Sequence, residues 1–458
     1  MDRVISLIGI PVFLAICFWL STDRKKINWT LVFWGIAMQF VFALLILRTD
    51  LGKNFFQVVN DVITALLNFT GQGASFVFGN LATGQNCQVG SVPAGFQGPG
   101  AFAPLDFAKA GNLWANHGAL FAFGVLPTII FFSSFMTVLY HLGIMQRVVY
   151  FIAVIMQRFM KASGAETLCA AANIFIGQTE APLVIKPYLS RLTLSELHCV
   201  MTAGMATIAG GVMAVYAGIL KGGCPEAAGH LLAASVMSAP AAVIISKMLV
   251  PETEVPETDG HIPLNVEQTD KNVIDAAARG ASEGVGLAIN VAAMLIAFIA
   301  LVAMINHVWG LCCHTLTSII PAINLKAVDS LQKVMGFLNA PFAWLMGMPS
   351  CDLLKAGELL GEHTIINEFY AYVHLGNILD KREIIDSVAV TLQPRTITLM
   401  IYALCGFANI GSIGIQIGGI GGLAPNRRGD IAKLGIYALI GGTLASYLTA
   451  CIAGVILN

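Results

Sequence analysis

One stretch of the sequence, residues 173–182 (NIFIGQTEAP), constrains the fold more than any other. It carries Glu180 inside largely apolar sequence, and a charged side chain at membrane depth costs roughly 2.5–3.5 kcal/mol on insertion scales. Gly177 and Pro182 argue against one unbroken helix, and non-helical backbone at that depth must be buried in protein or line a water-filled cavity. The stretch therefore predicts the tip of a re-entrant hairpin at a solute site.

The composition indicates that the chain lies in a lipid bilayer. Of its 458 residues, 57% are hydrophobic and only 11% are charged, whereas about 25% of the residues in soluble domains are charged. Lys plus Arg number 25 and Asp plus Glu number 26, so nothing indicates a nucleic-acid partner, whose footprint is a clustered basic face. The ten cysteines are scattered, without the spacing of metal ligands. We therefore predict an all-α polytopic membrane protein.

Apolar segments of sufficient length predict eight transmembrane helices, and short loops rich in Lys and Arg are assigned to the cytoplasmic side. The predicted spans are residues 4–22, 31–47, 119–140, 195–220, 229–250, 282–306, 393–418 and 433–457. Three shorter segments with an apolar face predict interfacial helices, at residues 54–69, 144–161 and 328–346. Residues 80–118, with repeated Gly, Pro and Asn, predict an external loop with a short helical piece.

The order of these parts occurs twice. An interfacial helix, a polar hairpin with a central glutamate and two spans follow one another on each side of the 251–310 region. The first hairpin contains Glu180, and the second, residues 350–378, contains Glu368. The second copy begins on the opposite side of the membrane from the first. Inverted repeats with broken helices are typical of secondary transporters, which bind their solutes near the midplane where the repeats meet.

The polar residues of the two hairpins supply donors and acceptors suited to a polar, uncharged solute. In the first hairpin these are Gln178, Thr179 and Glu180, and in the second they are Asn367 and Glu368. Any one of them alone is equally well explained by a helix cap or by a pair across the bundle. Two glutamates at matching places in two repeats favour a binding site instead.

The helix after the second hairpin adds a further polar cluster. Asn409 and Ser412 lie three residues apart and therefore share one helix face. Phe407 lies beside them, where an aromatic side chain can cover a ring of the solute. The glycine-rich run 411–422 lacks the Lys-Ser/Thr ending of a phosphate-binding loop, and small residues four apart are typical of helix packing in membranes.

A coupling cation is the second ligand that the sequence suggests. A hard cation such as Na⁺ needs oxygen ligands, and a broken helix supplies carbonyl oxygens at its C-terminal end. Asn173 and Thr207 can add side-chain oxygens, and Ile176 and Ile208 backbone oxygens. The Thr207 hydroxyl is equally explained by a bond back to its own helix. Either hairpin glutamate could carry a proton instead, so H⁺ is the rival coupling ion.

Four motifs in order resemble the family of concentrative nucleoside transporters, from about residue 30 to the C-terminus. The motifs are GQTEAPLVIKPYL (177–189), MATIAGGVMAVYAG (205–218), NEFYAY (367–372) and CGFANIGSIGIQIGG (405–419). The resemblance implies a homotrimer whose protomers each have eight spans, three interfacial helices and two re-entrant hairpins. It implies concentrative uptake of a nucleoside such as uridine by cation symport, through elevator-like movement. The protein would be a porter of the inner (plasma) membrane and not an enzyme.

This resemblance also divides the chain into a scaffold and a transport domain. Scaffold helices and the first interfacial helix occupy residues 1–140, and the first transport repeat, with hairpin 1, occupies 141–250. A cytoplasmic linker follows at 251–281. A scaffold and trimerisation helix with an external segment occupies 282–324, and the second transport repeat, with hairpin 2, occupies 325–458.

The family's functional residues can be carried over to the matching positions. In such proteins the first hairpin addresses the base, and the second hairpin with the following helix holds the ribose hydroxyls. The base contacts would be Gln178, Thr179 and Glu180, the ribose contacts Glu368, Asn409 and Ser412, and the side chains that pack on the substrate Val212 and Phe407. The sodium ligands would be Asn173, Ile176, Thr207 and Ile208.

Two departures from the family pattern bear on selectivity. Thr207 stands where Ser is common, which keeps the oxygen, and Gly211 stands where some relatives carry Ser. The Gly211 difference can alter base preference or ion stoichiometry. Because proton-coupled relatives depart from the NxxxxQTE pattern that this chain keeps, we favour sodium.

Other functional classes remain to be distinguished by experiment. A membrane-embedded hydrolase with Glu180 and Glu368 as an acid/base pair would release an altered product, whereas a porter delivers the solute intact. A channel would need no inverted repeat and would not concentrate its solute. The nearest alternative is a proton-coupled porter of nucleosides or related nucleobase-containing solutes.

Overall fold

The computed structural model describes residues 2–78, 123, 126–260, 270–319, 330–381, 384–385 and 388–457. Apart from turns and connecting segments, this described part is helical, with one antiparallel pair of two-residue strands, β1 (Ile384–Ile385) and β2 (Val388–Ala389). The predicted all-α class is confirmed. The predicted external loop at 80–118 and most of the linker stretch 261–271 lie outside the described residues.

The helices are numbered in chain order. Up to the linker they are α1 (Asp2–Leu20), α2 (Trp29–Arg48), α3 (Asp50–Phe78), α4 (Leu126–His141), α5 (Ile144–Met160), α6 (Gly164–Asn173), α7 (Leu194–Ala206), α8 (Gly210–Leu220) and α9 (Ala227–Leu249). After it they are α10 (Val273–Ile319), α11 (Leu331–Leu345), α12 (Leu353–Ile365), α13 (Glu368–Leu379), α14 (Pro394–Ala403), α15 (Ile410–Leu423) and α16 (Arg428–Ile456).

Six helical segments in the described part are long and apolar enough to cross a membrane. They are α1, α2, α7 with α8, α9, most of α10, and α16 with the turn before it. The count becomes seven if α4 and α5, which meet at an angle of 77°, form one bent span. The predicted number of eight spans and the re-entrance of the hairpins stay predictions, because no membrane boundary is defined by the fold itself.

Two helices are longer than the sequence pattern indicated. The amphipathic helix predicted for 54–69 is α3, which has 29 residues. The span predicted for 282–306 is the middle of α10, a helix of 47 residues that contains no proline. Residues 273–281, predicted as linker, and 307–319, predicted as an external segment, are therefore helical. The prediction counted only the most apolar run, whereas a helix continues into polar sequence until a breaker stops it.

Two predicted spans consist of two short helices each. The segment 195–220 is α7 and α8, separated where Thr207 adopts an extended conformation (φ −129°, ψ 164°). The segment 393–418 contains α14 and the start of α15, with a break at residues 404–409. Asn409 caps the second helix, because its side chain accepts a hydrogen bond from the Ser412 amide. The segment predicted as a span at 195–220 remains long and apolar enough to cross a membrane, but each of the two segments is interrupted, which the sequence pattern did not indicate.

Both predicted hairpins contain a break at their polar centre. In hairpin 1, α6 begins at a capping box between Ser163 and Glu166 and ends at Asn173, and the return limb starts with a 3₁₀ helix, Ala181–Ile185. In hairpin 2, α12 and α13 are separated at Ile366 and Asn367, and Asn367 caps α13. The order of helices in the two halves therefore repeats: one helix, a pair of short helical segments, a second such pair and a long helix.

The base of hairpin 1 is anchored by a buried lysine of α9. The Lys247 ammonium group forms an ion pair with Glu166 at the start of α6 and lies 3.0 Å from a Glu252 carboxylate oxygen. It also donates a 2.9 Å hydrogen bond to Ser195 Oγ near the start of α7. Separating such a pair would leave a buried charge without a counter-charge, which is strongly destabilising. The hairpin is thereby held in a fixed position against α7 and α9.

Candidate functional site

The two hairpins contact the breaks of the two interrupted helices, and these breaks also approach each other. The Gly210 amide donates a 2.9 Å hydrogen bond to the Phe175 carbonyl, which joins the α7–α8 break to the tip of hairpin 1. Gly406, in the α14–α15 break, approaches the end of α7 so closely that a Cβ there would lie 2.7 Å from the Met205 carbonyl oxygen. His363 Nε2 of hairpin 2 donates to the Gly406 carbonyl at 2.8 Å.

Glu368 is the centre of the polar groups in hairpin 2. Its Oε1 accepts a hydrogen bond of 3.0 Å from the Tyr216 hydroxyl of α8, and its Oε2 accepts one of 3.0 Å from Asn409 Nδ2. The side chain is buried. A buried carboxylate is costly unless it is hydrogen-bonded. The two donors, one from each half of the chain, therefore hold the Glu368 carboxylate in one orientation, and each oxygen can still accept a further hydrogen bond.

Gln178 continues this arrangement into hairpin 1. Its Nε2 donates to Ser412 Oγ at 3.2 Å, and Ser412 lies in the first turn of the helix that Asn409 caps. The Ser412 amide donates to Asn409 Oδ1, and Asn409 Nδ2 donates to Glu368. These four residues, Gln178, Ser412, Asn409 and Glu368, therefore form one connected polar cluster between the two hairpins, with the link between Ser412 and Asn409 made through the Ser412 backbone. Four of the predicted site residues are brought together in this way.

Thr179 and Glu180 form no hydrogen bond with that cluster in the described part of the chain. Thr179 packs on α15, where a Cβ built on Gly419 would lie 2.5 Å from Thr179 Cγ2. Glu180 Oε2 accepts a 3.2 Å hydrogen bond from the Gly177 amide, which closes the turn at the hairpin tip. The Glu180 side chain is exposed because it faces a cavity.

This cavity has a volume of about 900 Å³, within the range of small-molecule sites. Its walls come from α4, hairpin 1, α8 and the beginning of α10, and they include Glu180, Val212 and Gly211. Phe407 lies half-buried in the α14–α15 break. Glu368 is not among the described residues that line this cavity, and Glu180 forms none of the hydrogen bonds that make up the polar cluster. In the described part of the chain the two glutamates therefore lie on different polar groups, Glu180 on the cavity and Glu368 in the cluster.

An ion cluster at the beginning of α10 lines the same cavity. Arg279 of α10 donates two hydrogen bonds to the Asp270 carboxylate, of 2.7 and 2.8 Å, and a third of 2.8 Å to Glu283. The hydrogen bonds from Arg279 lower the pKa of Asp270 below its usual value. Asp270 is therefore a carboxylate at neutral pH, and the cluster gives this side of the cavity a fixed charge pattern.

The predicted cation ligands lie where two helices end. Asn173 Nδ2 donates to the Cys169 carbonyl at 3.0 Å, while the buried Asn173 Oδ1 has no hydrogen-bond partner in the described part of the chain. Thr207 Oγ1 donates to the Ala203 carbonyl at 2.9 Å, the bond to its own helix, and keeps its acceptor capacity. Carbonyls at helix C-termini lack intrahelical partners and carry partial negative charge. An unpaired buried acceptor beside such ends fits a hard cation.

Two residues of the cluster were not singled out from the sequence. Tyr216 donates to Glu368, and Gln416 donates to Gln178 Oε1 at 3.1 Å. A signal for Gln416 existed, since it lies one turn after Ser412 on the same face of an apolar helix. It was hidden in the glycine-rich run that indicated helix packing. Tyrosine in an apolar helix carries no such signal.

Comparison with known protein families gives three matches along the chain. A model described as the C-terminus of Na⁺ dependent nucleoside transporters matches residues 230–454, and its N-terminal counterpart matches residues 8–81. A model described as nucleoside recognition, "Gate", matches residues 122–222. The matched regions include both hairpins and both interrupted helices.

Several relatives are similar over nearly the whole chain. Solute carrier family 28 member 3 of Eptatretus stoutii is 40% identical over 99% of this chain and 61% of its own length. Sodium/nucleoside cotransporter 2 of Rattus norvegicus is 36% identical over 99% of this chain and 63% of its own length. The transporter YutK of Bacillus subtilis is 38% identical over 99% of both. The chain thus spans about three fifths of the animal relatives and all but the ends of the bacterial one.

Solved structures of the protein CNTnw show the same fold. Its inward-facing substrate-bound state is 37% identical with a TM-score of 0.82, covering 100% of this chain and 98% of that one. A CNTnw variant in an outward-facing state is 38% identical with a TM-score of 0.84, covering 100% and 99%. The similarity extends over the whole length of both chains.

Proposed function

Because the chain belongs to the family of Na⁺-dependent nucleoside transporters, we propose that it takes up nucleosides such as uridine by symport with Na⁺. The family consists of multi-pass membrane transporters and not of enzymes. The observation that carries the proposal is the polar cluster that joins the two hairpins through Gln178, Ser412, Asn409 and Glu368.

The Glu368 end of the cluster suits the ribose. Two adjacent hydroxyls can donate to one carboxylate in charge-assisted hydrogen bonds, which are about twice as strong as neutral ones. Asn409 and Ser412 lie beside it and supply further polar groups. A site built for hydroxyls rejects analogues that lack them, because its buried polar groups are then left unpaired. Ribonucleosides should therefore outcompete free nucleobases.

The base lies on the hairpin 1 side in this proposal. Gln178, Thr179 and Glu180 offer hydrogen-bonding groups there, directly or through water. Val212 and Phe407 offer apolar surfaces, and Val212 lies in the wall of the cavity that Glu180 faces. The cavity supports the proposal because it brings a polar group of hairpin 1 and an apolar wall to one space of suitable volume.

Sodium is the coupling ion in this proposal, with Asn173 and Thr207 as side-chain ligands and Ile176 and Ile208 as backbone ligands. The unpaired Asn173 Oδ1 at the end of α6 supports this assignment. Each net positive charge carried inward gains about 2.3 kcal/mol per 100 mV of membrane potential. Na⁺ entering with an uncharged nucleoside therefore permits uptake against a concentration gradient.

Elevator-like movement of a transport domain would expose the site alternately to the two sides. The relative CNTnw has been solved in inward-facing and outward-facing states, and this chain resembles both closely. The cavity beside Glu180 is also lined by Lys186 and Asp270, on segments predicted to be cytoplasmic, which supports access from the inside in this structure. We further propose a homotrimer in the inner (plasma) membrane.

The test is uptake of labelled uridine into proteoliposomes with the cation varied. We expect accumulation above the external concentration with an inward Na⁺ gradient and none in choline buffer. The exposed-glutamate variant Glu226→Gln serves as the control and should match the wild type. Full uptake in sodium-free choline buffer that a protonophore abolishes would establish H⁺ as the coupling ion. Transport of nucleobases in preference to nucleosides would overturn the substrate assignment.

A further inference from the structure

Gln416 extends the polar cluster beyond the groups assigned to the ribose and the base. It lies in α15, one turn after Ser412, and its side chain is fully buried, with 0% exposure. Its Nε2 donates two hydrogen bonds, one of 3.1 Å to Gln178 Oε1 and one of 2.9 Å to the Met201 carbonyl of α7. Gln416 of α15 therefore bonds both to the tip of hairpin 1 and to α7.

The Met201 carbonyl decides the orientation of both glutamine amides. A carbonyl oxygen only accepts hydrogen bonds, so the end of the Gln416 amide that faces it must be the NH₂ group. The second hydrogen of that NH₂ group goes to Gln178, which must present its oxygen. The NH₂ group of Gln178 is then directed to Ser412. One backbone carbonyl thus fixes the direction of the whole chain of amides.

Close packing against α7 holds the two side chains in place, while the hydrogen bonds determine which way their amides face. Gly204 of α7 lies beneath both, and a Cβ built there would be 2.8 Å from Gln178 Cβ and 3.0 Å from Gln416 Nε2. The remaining amide oxygen of Gln416 has no hydrogen-bond partner among the described residues. The Gln416 amide therefore keeps the orientation that its bonds to Met201 and Gln178 require, although its own oxygen is left unpaired.

We propose that Gln416 is a positioning residue that locks the Gln178 amide in one orientation and thereby sets which bases the site accepts. The inference rests on the proposed nucleoside transport. Bases differ in hydrogen-bonding character at corresponding edges: the 4-position of uracil carries an acceptor oxygen and that of cytosine an amino donor. A locked amide discriminates between such patterns, whereas an amide free to turn over adapts to either.

The test is a double-mutant cycle on Gln178 and Gln416. Gln416→Met removes the donor at nearly constant length. We expect it to change the KM ratios among uridine, cytidine, adenosine and inosine by roughly three- to tenfold, the effect of one neutral hydrogen bond, with little change in kcat. In a Gln178→Leu background the same substitution should leave those ratios unchanged. Gln39→Leu is the control, because this fully buried glutamine has no hydrogen-bond partner in the part of the chain that is described.

Each outcome of the cycle is decisive. An equal KM change for all four nucleosides, an unchanged profile, or the same effect in both backgrounds would overturn the role of Gln416 while leaving nucleoside transport intact. If the wild type moves no nucleoside, the proposed function fails and this inference fails with it. Gln416→Leu replaces the Met variant in the cycle if the latter does not insert.

Discussion

Glu368 receives its two hydrogen bonds from opposite halves of the chain, Tyr216 from the first and Asn409 from the second. Its position therefore depends on correct docking of the repeats and not on hairpin 2 alone. Removing one partner of a buried hydrogen-bonded charge costs more than the bond itself is worth, since the carboxylate is left partly unsatisfied. Substitutions at these donors should therefore weaken substrate binding and also lower stability.

Tyr216→Phe removes one donor to Glu368 and keeps the ring that stacks on Tyr372 at a centroid distance of 4.3 Å. We expect the KM for uridine to rise roughly ten- to a hundredfold, because hydrogen bonds to charged groups contribute about 1.5–3 kcal/mol. The measurement is initial-rate uptake over a range of uridine concentrations. Tyr437→Phe, at a partly exposed position, is the matched control, and an unchanged KM in Tyr216→Phe would remove Tyr216 from the site.

Asn409 has two roles that substitution can separate. Its Oδ1 caps α15 and its Nδ2 donates to Glu368. Asn409→Ala should abolish uptake and also lower stability by about 0.5–2 kcal/mol through loss of the cap. Asn409→Ser keeps an N-cap acceptor but is too short to donate to Glu368, so we expect stability closer to wild type and no uptake. Thermal unfolding together with uridine uptake distinguishes the two effects, and uptake by the Ser variant would contradict the donor role.

At the scale of elements, the site is made of helix ends. Four interruptions, in hairpins 1 and 2 and in the α7–α8 and α14–α15 pairs, are joined by the contacts of Phe175, Met205 and Gly406. Broken helices expose backbone groups that lipid cannot satisfy, and burial against one another solves this problem. The close approach that this burial needs is possible only where side chains are small.

The two kinds of break were not equally predictable. The tip of hairpin 1 is predictable from Gly177, Pro182 and the charge of Glu180. The breaks at 207–209 and 404–409, in contrast, lie in apolar runs without proline. Tertiary packing decides the latter. For the same reason the sequence indicated Glu368, Asn409 and Ser412 but gave no means of seeing which of them meet.

Gly204→Ala tests the packing of the elements around the site. The added Cβ would lie 2.8 Å from Gln178 Cβ, so hairpin 1 must shift away from α7. We expect a several-fold increase in the KM for uridine and a lower unfolding temperature, since overpacking costs about 1–3 kcal/mol. Gly414→Ala in α15 is the control because nothing lies within 4 Å of its Cβ. Equal behaviour of the two variants would contradict the close contact of hairpin 1 with α7.

At the scale of the whole molecule, α10 separates the two repeats and presents a charge cluster to the cavity. The Asp270–Arg279 pair contributes most above the usual pKa of an aspartate, because the folded-state pKa of Asp270 is lowered. That contribution is lost as the pH falls through the lowered value. It is therefore constant around neutral pH, and a pH dependence of uptake in that range must arise elsewhere.

Asp270→Asn checks this directly. We expect a small loss of stability at neutral pH, since Arg279 is 42% exposed and exposed ion pairs contribute about 0–1 kcal/mol. The difference from the wild type should vanish in strongly acidic buffer, where Asp270 is protonated in both states. The measurement is thermal unfolding of detergent-solubilised protein across pH. A stability difference between the variant and the wild type that persists in acid would show that it does not come from the Asp270–Arg279 ion pair.

The account depends most on the two hairpins jointly forming one nucleoside site, and counterflow of labelled uridine by Glu368→Gln in Na⁺-loaded proteoliposomes tests this most directly. We predict that the variant inserts as the wild type does, that added uridine does not raise its unfolding temperature, and that it shows no counterflow. Glu226→Gln should behave as the wild type. Counterflow by Glu368→Gln at the wild-type rate, with an unchanged KM, would contradict the account.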